Sequence, residues 1–121
     1  MSLNVVDSSA WLEYFADTAR AKLFAVAIED VENLIVPAVV LNEVCKKVRR
    51  ARGEDAVLQV AAALESGRIV EFDASLALEA SRLDLPLADS MIYATARRLG
   101  AIVWTQDADF AGLDGVRYFA K

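Results

Sequence analysis

Residues 3–15 read LNVVDSSAWLEYF, and the way this stretch divides decides the fold. Leu3–Val6 is a short run, apolar but for Asn4, which fits a strand covered on both faces better than one with a wet side. The run stops at Asp7, and after two serines the spacing of apolar and aromatic residues from Ala10 to Phe15 is helical. Either Ser8 or Ser9 can cap that helix, so the Asp7 carboxylate is not required for the task. A strand feeding directly into a helix is the opening unit of an alternating α/β chain.

The rest of the chain repeats the unit. Leu34–Val36, Arg68–Glu71, Ala101–Thr105 and Val116–Tyr118 read as further strands, several of them unbroken apolar runs. Helical patterns occupy Ala19–Glu29, Ala38–Arg52, Asp55–Glu65, Leu76–Leu83 and Ala88–Leu99, punctuated by Pro37, Gly53, Gly67, Pro86 and Gly100. This alternation predicts a three-layer α/β/α sandwich with a mainly parallel sheet, whose ligand site lies beyond the C-terminal ends of the strands. The 121 residues fit one domain, residues 1–121, with no internal repeat or dividing linker.

Composition narrows the chemistry. The chain is 56% hydrophobic and 26% charged, an ordered globular balance. No apolar run approaches the length of a membrane span and no secretory leader is visible, so a soluble, cytoplasmic protein is expected. The lone Cys45 forms no internal disulfide and belongs to no Cys-x-x-Cys pair. Histidine is absent, which removes the usual base of serine and cysteine hydrolases and the commonest nitrogen ligand of zinc. A net charge of −5 argues against a protein that coats nucleic acid with uniform positive charge, although local basic clusters remain to be read.

The acids then have to be weighed. Val40, Val44 and Val48 define the core stripe of the Ala38–Arg52 helix, and Glu43 lies beside it with Lys46, Lys47 and Arg50 on its own face. An intrahelical ion pair accounts for Glu43 taken alone. In LPLADSMIYATARRLG, residues 85–100, Asp89 shares a face with Ile92, Tyr93, Ala96 and Leu99, where a charge needs compensation; a helix cap and a functional role explain it equally well. Asp107 follows a predicted strand just as Asp7 does, and turn chemistry explains either residue singly, with Asp109 as a loop acid before Phe110.

Read together, Asp7, Glu43, Asp89 and Asp107 are expected to meet on one rim of the sheet. Two carboxylates about 4 Å apart repel by about 4 kcal/mol at an effective dielectric of 20, against a net domain stability of about 5–15 kcal/mol. A bound cation relieves that repulsion. Oxygen donors without imidazole or thiolate favour Mg²⁺ or Mn²⁺, ions that activate water and neutralise charge in phosphoryl transfer.

At this point the sequence resembles the PIN-domain family, and within it the VapC-like ribonuclease toxins of toxin–antitoxin pairs. VVDSSAWL (5–12), VVLNEV (39–44), LPLADSMIYATA (85–96) and VWTQDADF (103–110) carry the resemblance, in order and across nearly the whole chain. It implies an α/β/α sandwich with an acidic pocket for Mg²⁺ or Mn²⁺, cleavage of RNA, inhibition by a cognate antitoxin, and a homodimer. Motif position assigns Asp7, Glu43, Asp89 and Asp107 to the family's acidic quartet, with Glu43 as a ligand or as the group orienting the attacking water. Asp109 falls at a position that is sometimes acidic and ranks below these four. Ser8 and Thr105 are candidate supporting hydroxyls, beside the simpler roles of cap and strand end.

Lys46, Lys47, Arg50 and Arg52 begin one turn after Glu43 and are candidate phosphate contacts, although cations at a helix C-terminus also complement its dipole. Arg97 and Arg98 share that ambiguity. Trp11, Tyr14 and Phe15 fit either core packing or a partner surface. Two other classes stay open. A catalytically silent PIN-like binding module would keep fold and surface without cleavage. A receiver-like phosphoacceptor domain wants adjacent acids after the first strand and a lysine after a late one, where this chain has DSS and TQD.

Overall fold

The computed structural model describes residues 2–121. Five strands form one sheet in the order β3-β2-β1-β4-β5: β1 (Asn4–Val6), β2 (Leu34–Pro37), β3 (Arg68–Val70), β4 (Ile102–Thr105) and β5 (Val116–Tyr118). Every pairing is parallel, so the expectation of a mainly parallel sheet is met in full. Val5 and Val6 are both fully buried, as are Ile35 and Val36 to within 2%. Successive strand residues point to opposite faces, so the two central strands are covered on both sides, as three layers require.

The helices are α1 (Ser8–Phe15), α2 (Ala21–Ile28), α3 (Ala38–Arg52), α4 (Glu54–Glu65), α5 (Ala74–Ala80) and α6 (Leu87–Leu99). In α3 the buried residues are Val40, Val44 and Val48, the stripe expected from their spacing. Helix α6 ends on Gly100 in the left-handed conformation at φ 65°, which closes its last carbonyls without a Cβ penalty. Most helix starts shift by one or two residues from the sequence reading, and in α1 and α5 the shift is to an earlier start because aspartates serve as caps. Asp7 accepts from the Ala10 N–H at 3.0 Å and starts α1 at Ser8, while Asp73 accepts from the Leu76 N–H at 2.8 Å and starts α5 at Ala74. The premise that a serine caps α1 is therefore corrected: the acid does it, and the two hydroxyls are engaged elsewhere.

This topology positions the site. From β1 the chain moves outward to β2 and β3, then α5 and α6 carry it back across β1 to β4 and β5. The reversal between β1 and β4 is a switch point, the place beyond the strands' C-terminal ends where open parallel sheets put their ligand sites. Val5 pairs with Val103 and Val6 with Trp104, and the Asp7 N–H donates to the Trp104 carbonyl at 3.1 Å. Asp7 and Thr105 therefore stand side by side at this switch point. Among the described residues no helix is long and apolar enough to cross a membrane.

Candidate functional site

Asp7 is 3% exposed, and every contact of its carboxylate comes from a neighbour fixed by secondary structure. Oδ1 accepts from the Ala10 N–H and from Ser9 Oγ at 3.1 Å, while Oδ2 accepts a short hydrogen bond from Thr105 Oγ1. Burial pushes its pKa above the usual carboxylate range; the Thr105, Ala10 and Ser9 donors pull against that, and the charge of Asp107 adds to it. Thr105 does two jobs with one hydroxyl, donating to Asp7 and accepting from the Asp107 N–H at 2.9 Å. One hydroxyl thereby joins the aspartates that follow β1 and β4.

Beyond Thr105 the chain turns through a short 3-10 segment, Ala108–Phe110. Asp107 caps it by accepting from the Asp109 N–H at 2.9 Å, which folds Asp109 back beside it. Asp89 approaches from the first turn of α6, where Pro86 occupies the cap position and Asp89 makes no capping bond. Carboxylate oxygens of Asp89, Asp107 and Asp109 lie within 4.8 Å of one another. Asp89 is held up to a pKa of about 7, first by desolvation, then by the charge of Asp107, a hydrogen bond with Asp109, and the charges of Asp109 and Asp7. Asp109, ranked last on sequence, is thus a full member of the tightest acidic group, while Asp7 is its buried neighbour.

Glu43 sits differently from its isolated reading. Its Oε1 accepts from Ser8 Oγ at 2.9 Å, and among the described residues it forms no ion pair with Lys46, Lys47 or Arg50. The α3 acid is thereby tied to the start of α1, next to Asp7, instead of to its own helix. The neighbouring cation Arg49 pairs with Glu54 at 2.7 Å.

The donor set suits a hard divalent ion. Two oxygens on opposite sides of one Mg²⁺ stand about 4.2 Å apart, so a trio already gathered within 4.8 Å needs only small rotamer changes to share a coordination shell. Carboxylates alone, one of them with its pKa raised by burial and by the charges beside it, are what such an ion would stabilise.

The four basic candidates all lie exposed on α3. Lys47 and Arg52 border a cleft of about 530 Å³ whose floor includes Leu12, Phe15, Val48 and Val60, between α1, α3 and α4. Trp11 is fully buried and stacks on Phe15 at 5.6 Å, whereas Tyr14 and Phe15 are half-buried, so Trp11 is core and Phe15 is the aromatic that reaches the cleft. Sequence reasoning gives Ser9 only a capping role and does not reach Arg20 or Gln106. Ser9 was hidden as an interchangeable cap, and Arg20 and Gln106 meet at 2.7 Å across 86 residues, which no local pattern signals.

Solved structures share this arrangement of elements. A toxin–antitoxin complex from Klebsiella pneumoniae superposes with a TM-score of 0.81 at 21% identity, covering 98% of this chain and 99% of that one. Mycobacterium tuberculosis VapC20, described as a sarcin-ricin loop cleaving toxin, gives 0.74 at 22% identity over 93% and 96%. DNA-bound VapBC from Salmonella typhimurium gives 0.73 at 14% identity over 99% and 98%. At these identities the likeness is one of fold. No curated protein matches the sequence. The PIN domain family matches residues 5–116, a span that takes in the strand-end aspartate of β1, the α3 glutamate and the acidic trio, and the chain belongs to that family.

Proposed function

We propose that this chain is a Mg²⁺- or Mn²⁺-dependent endoribonuclease of the VapC-like toxin kind, restrained by a cognate antitoxin. The observation that carries the reading is the convergence of Asp89, Asp107 and exposed Asp109 within 4.8 Å beside buried Asp7, beyond the C-terminal ends of β1 and β4. Asp89, Asp107 and Asp109 would hold the ion, with Asp7 reaching it directly or through water. When bound, the ion lowers the pKa of water and offsets charge on the phosphoryl oxygens in an in-line displacement.

The protein's own groups do the rest. Thr105, Ser9 and the Ala10 N–H hold Asp7 in one orientation, so that its charge acts as a fixed acceptor. Glu43, anchored by Ser8, would ligate the ion or orient the attacking water, whose proton leaves to solvent as its oxygen bonds to phosphorus. The P–O3′ bond breaks and the departing 3′ oxygen is protonated by solvent, leaving a 5′-phosphate and a 3′-hydroxyl, the product polarity implied by the family resemblance. Exposed Lys46 and Arg50 provide phosphate contacts near that end of α3, while Lys47 and Arg52 divide their candidacy between RNA and the cleft. An apolar floor flanked by two cations supports an amphipathic helix with acidic edges as the antitoxin's contacting segment. The homodimer belongs to the same proposal and is checked by sedimentation.

The test is cleavage of transfer and ribosomal RNA by purified protein in Mn²⁺, with and without EDTA. Chelation, Asp107→Asn and Glu43→Gln should each lower the rate at least about a hundredfold with an unchanged fold. Full activity in EDTA would remove the metal from the reaction. Absence of cleavage on every RNA, with intact Mn²⁺ binding, would favour a silent partner-binding domain.

A further inference from the structure

A polar relay lies behind the acidic site and takes no part in it directly. Gln106 follows Thr105 and precedes Asp107, and its side chain is buried at 5% exposure. Its Oε1 accepts from Arg20 Nε at 2.7 Å and its Nε2 donates to Glu13 Oε2 at 2.9 Å, so both ends of the amide are satisfied by α1 and the connection after it. The Arg20 guanidinium also donates to the Phe119 carbonyl at 2.7 Å, while the Phe119 N–H donates to the Thr105 carbonyl at 2.9 Å. Arg20 thus grips the segment around Thr105 twice, through a side chain on one side and through the peptide of Phe119 on the other.

We propose that Arg20 and Gln106 are a positioning pair for the acidic site, clamping Thr105–Asp107 at a fixed distance from Asp7. Thr105 Oγ1 bridges Asp7 and the Asp107 N–H, and Asp107 in turn sets Asp109, so any rotation of the Gln106 peptide moves three acids relative to one another. Arg20 suits the task because its planar fork donates in two directions at once, to an amide and to a carbonyl on different elements. Glu13 Oε2, which accepts from Gln106, also forms a long ion pair with Arg20 Nε at 4.0 Å, so the acid, the amide and the guanidinium hold one another. For its metal readout the inference rests on the reading of the acidic trio as an ion site.

The experiment compares the wild type with Arg20→Met, Arg20→Lys and, as a stability control, Val57→Ala, which thins the packing of α4 away from the relay. Mn²⁺ affinity is measured by titration calorimetry, and amide hydrogen exchange is followed by mass spectrometry in metal-free buffer. Arg20→Met should weaken Mn²⁺ binding roughly tenfold, as loss of a partner behind a metal ligand does, and speed exchange over Thr105–Phe110 by a similar factor. Arg20→Lys keeps the charge but loses the double reach, and should fall between. Val57→Ala should keep both readouts within about twofold of wild type despite a lower melting temperature. If Arg20→Met does not fold, Arg20→Lys and Gln106→Leu carry the comparison. Unchanged affinity and exchange in the Arg20 variants, or an equal loss in Val57→Ala, overturns the pair. A wild type that takes up no Mn²⁺ defeats the ion-site reading alone, and local exchange then decides the clamp.

Discussion

Removing the Asp89 charge should make the metal-free protein more stable, and the size of the effect follows from the crowding around that residue. In the folded protein Asp89 is held at a pKa of about 7, from 3.8, by desolvation and by Asp107 and Asp109. A carboxyl whose folded pKa lies above its unfolded one contributes stability in full below about 3.8, and loses it as the pH rises toward 7. Above that pH the charge persists in the fold at full cost. The displacement corresponds to about 4 kcal/mol, and solvent reaching the half-buried side chain screens roughly half of it, leaving about 2 kcal/mol. For a chain of this length about 1 kcal/mol moves the midpoint by about 4 °C, so Asp89→Asn should melt about 8 °C above wild type at pH 8 in EDTA. At pH 5 the gap should shrink to less than half of that, because Asp89 is then largely protonated in the folded wild type. Saturating Mn²⁺ should reverse the order, since the ion stabilises the chain that binds it more tightly. Thermal melts by circular dichroism in the two buffers, with and without Mn²⁺, provide the measurement. A variant that melts level with or below wild type at pH 8 in EDTA would refute the idea that these carboxylates strain one another.

Two further substitutions probe the support of the site. Thr105→Val keeps the shape of the side chain but strips a donor from buried Asp7 and an acceptor from the Asp107 N–H, and should cost about 2–3 kcal/mol by urea unfolding, with Thr105→Ser restoring most of it. Gly115 has φ 73°, and a Cβ there would meet Arg97 Nη1 at 2.7 Å; Gly115→Ala should lose about 1–2 kcal/mol, of which Arg97→Ala recovers the steric part but not the backbone part, as a double-mutant cycle in urea would reveal.

What the sequence made legible follows the range of the interactions. The strands and the long helices are written in apolar spacing, a local property, and α3 and its valine stripe emerge as expected. Asp7 was placed correctly at the end of β1, yet its capping role was assigned to the serines, because Asp, Ser and Ser in a row are equivalent by local rules. Only the fold reveals that Ser8 is drawn off to Glu43, 35 residues away. For the same reason the lysines of α3 looked like the partners of Glu43: sequence shows the neighbours at i+3 and i+4 and conceals a hydroxyl arriving from another helix. The nearness of Asp109 to Asp107 is not legible in the sequence, because the turn that brings it back is a single capped 3-10 segment, too short to leave a periodic signal.

The Thr105–Asp7 bond joins residues 98 positions apart, and the strand pairing beside it runs between the first strand and the fourth. Closing so long a loop is slow relative to local helix formation. During synthesis residues 102–109 must therefore emerge before Asp7 can meet Asp107 and Asp109. The geometry around Asp7 is thus a property of the paired sheet and of no local segment, and it appears only when the first and fourth strands have found each other.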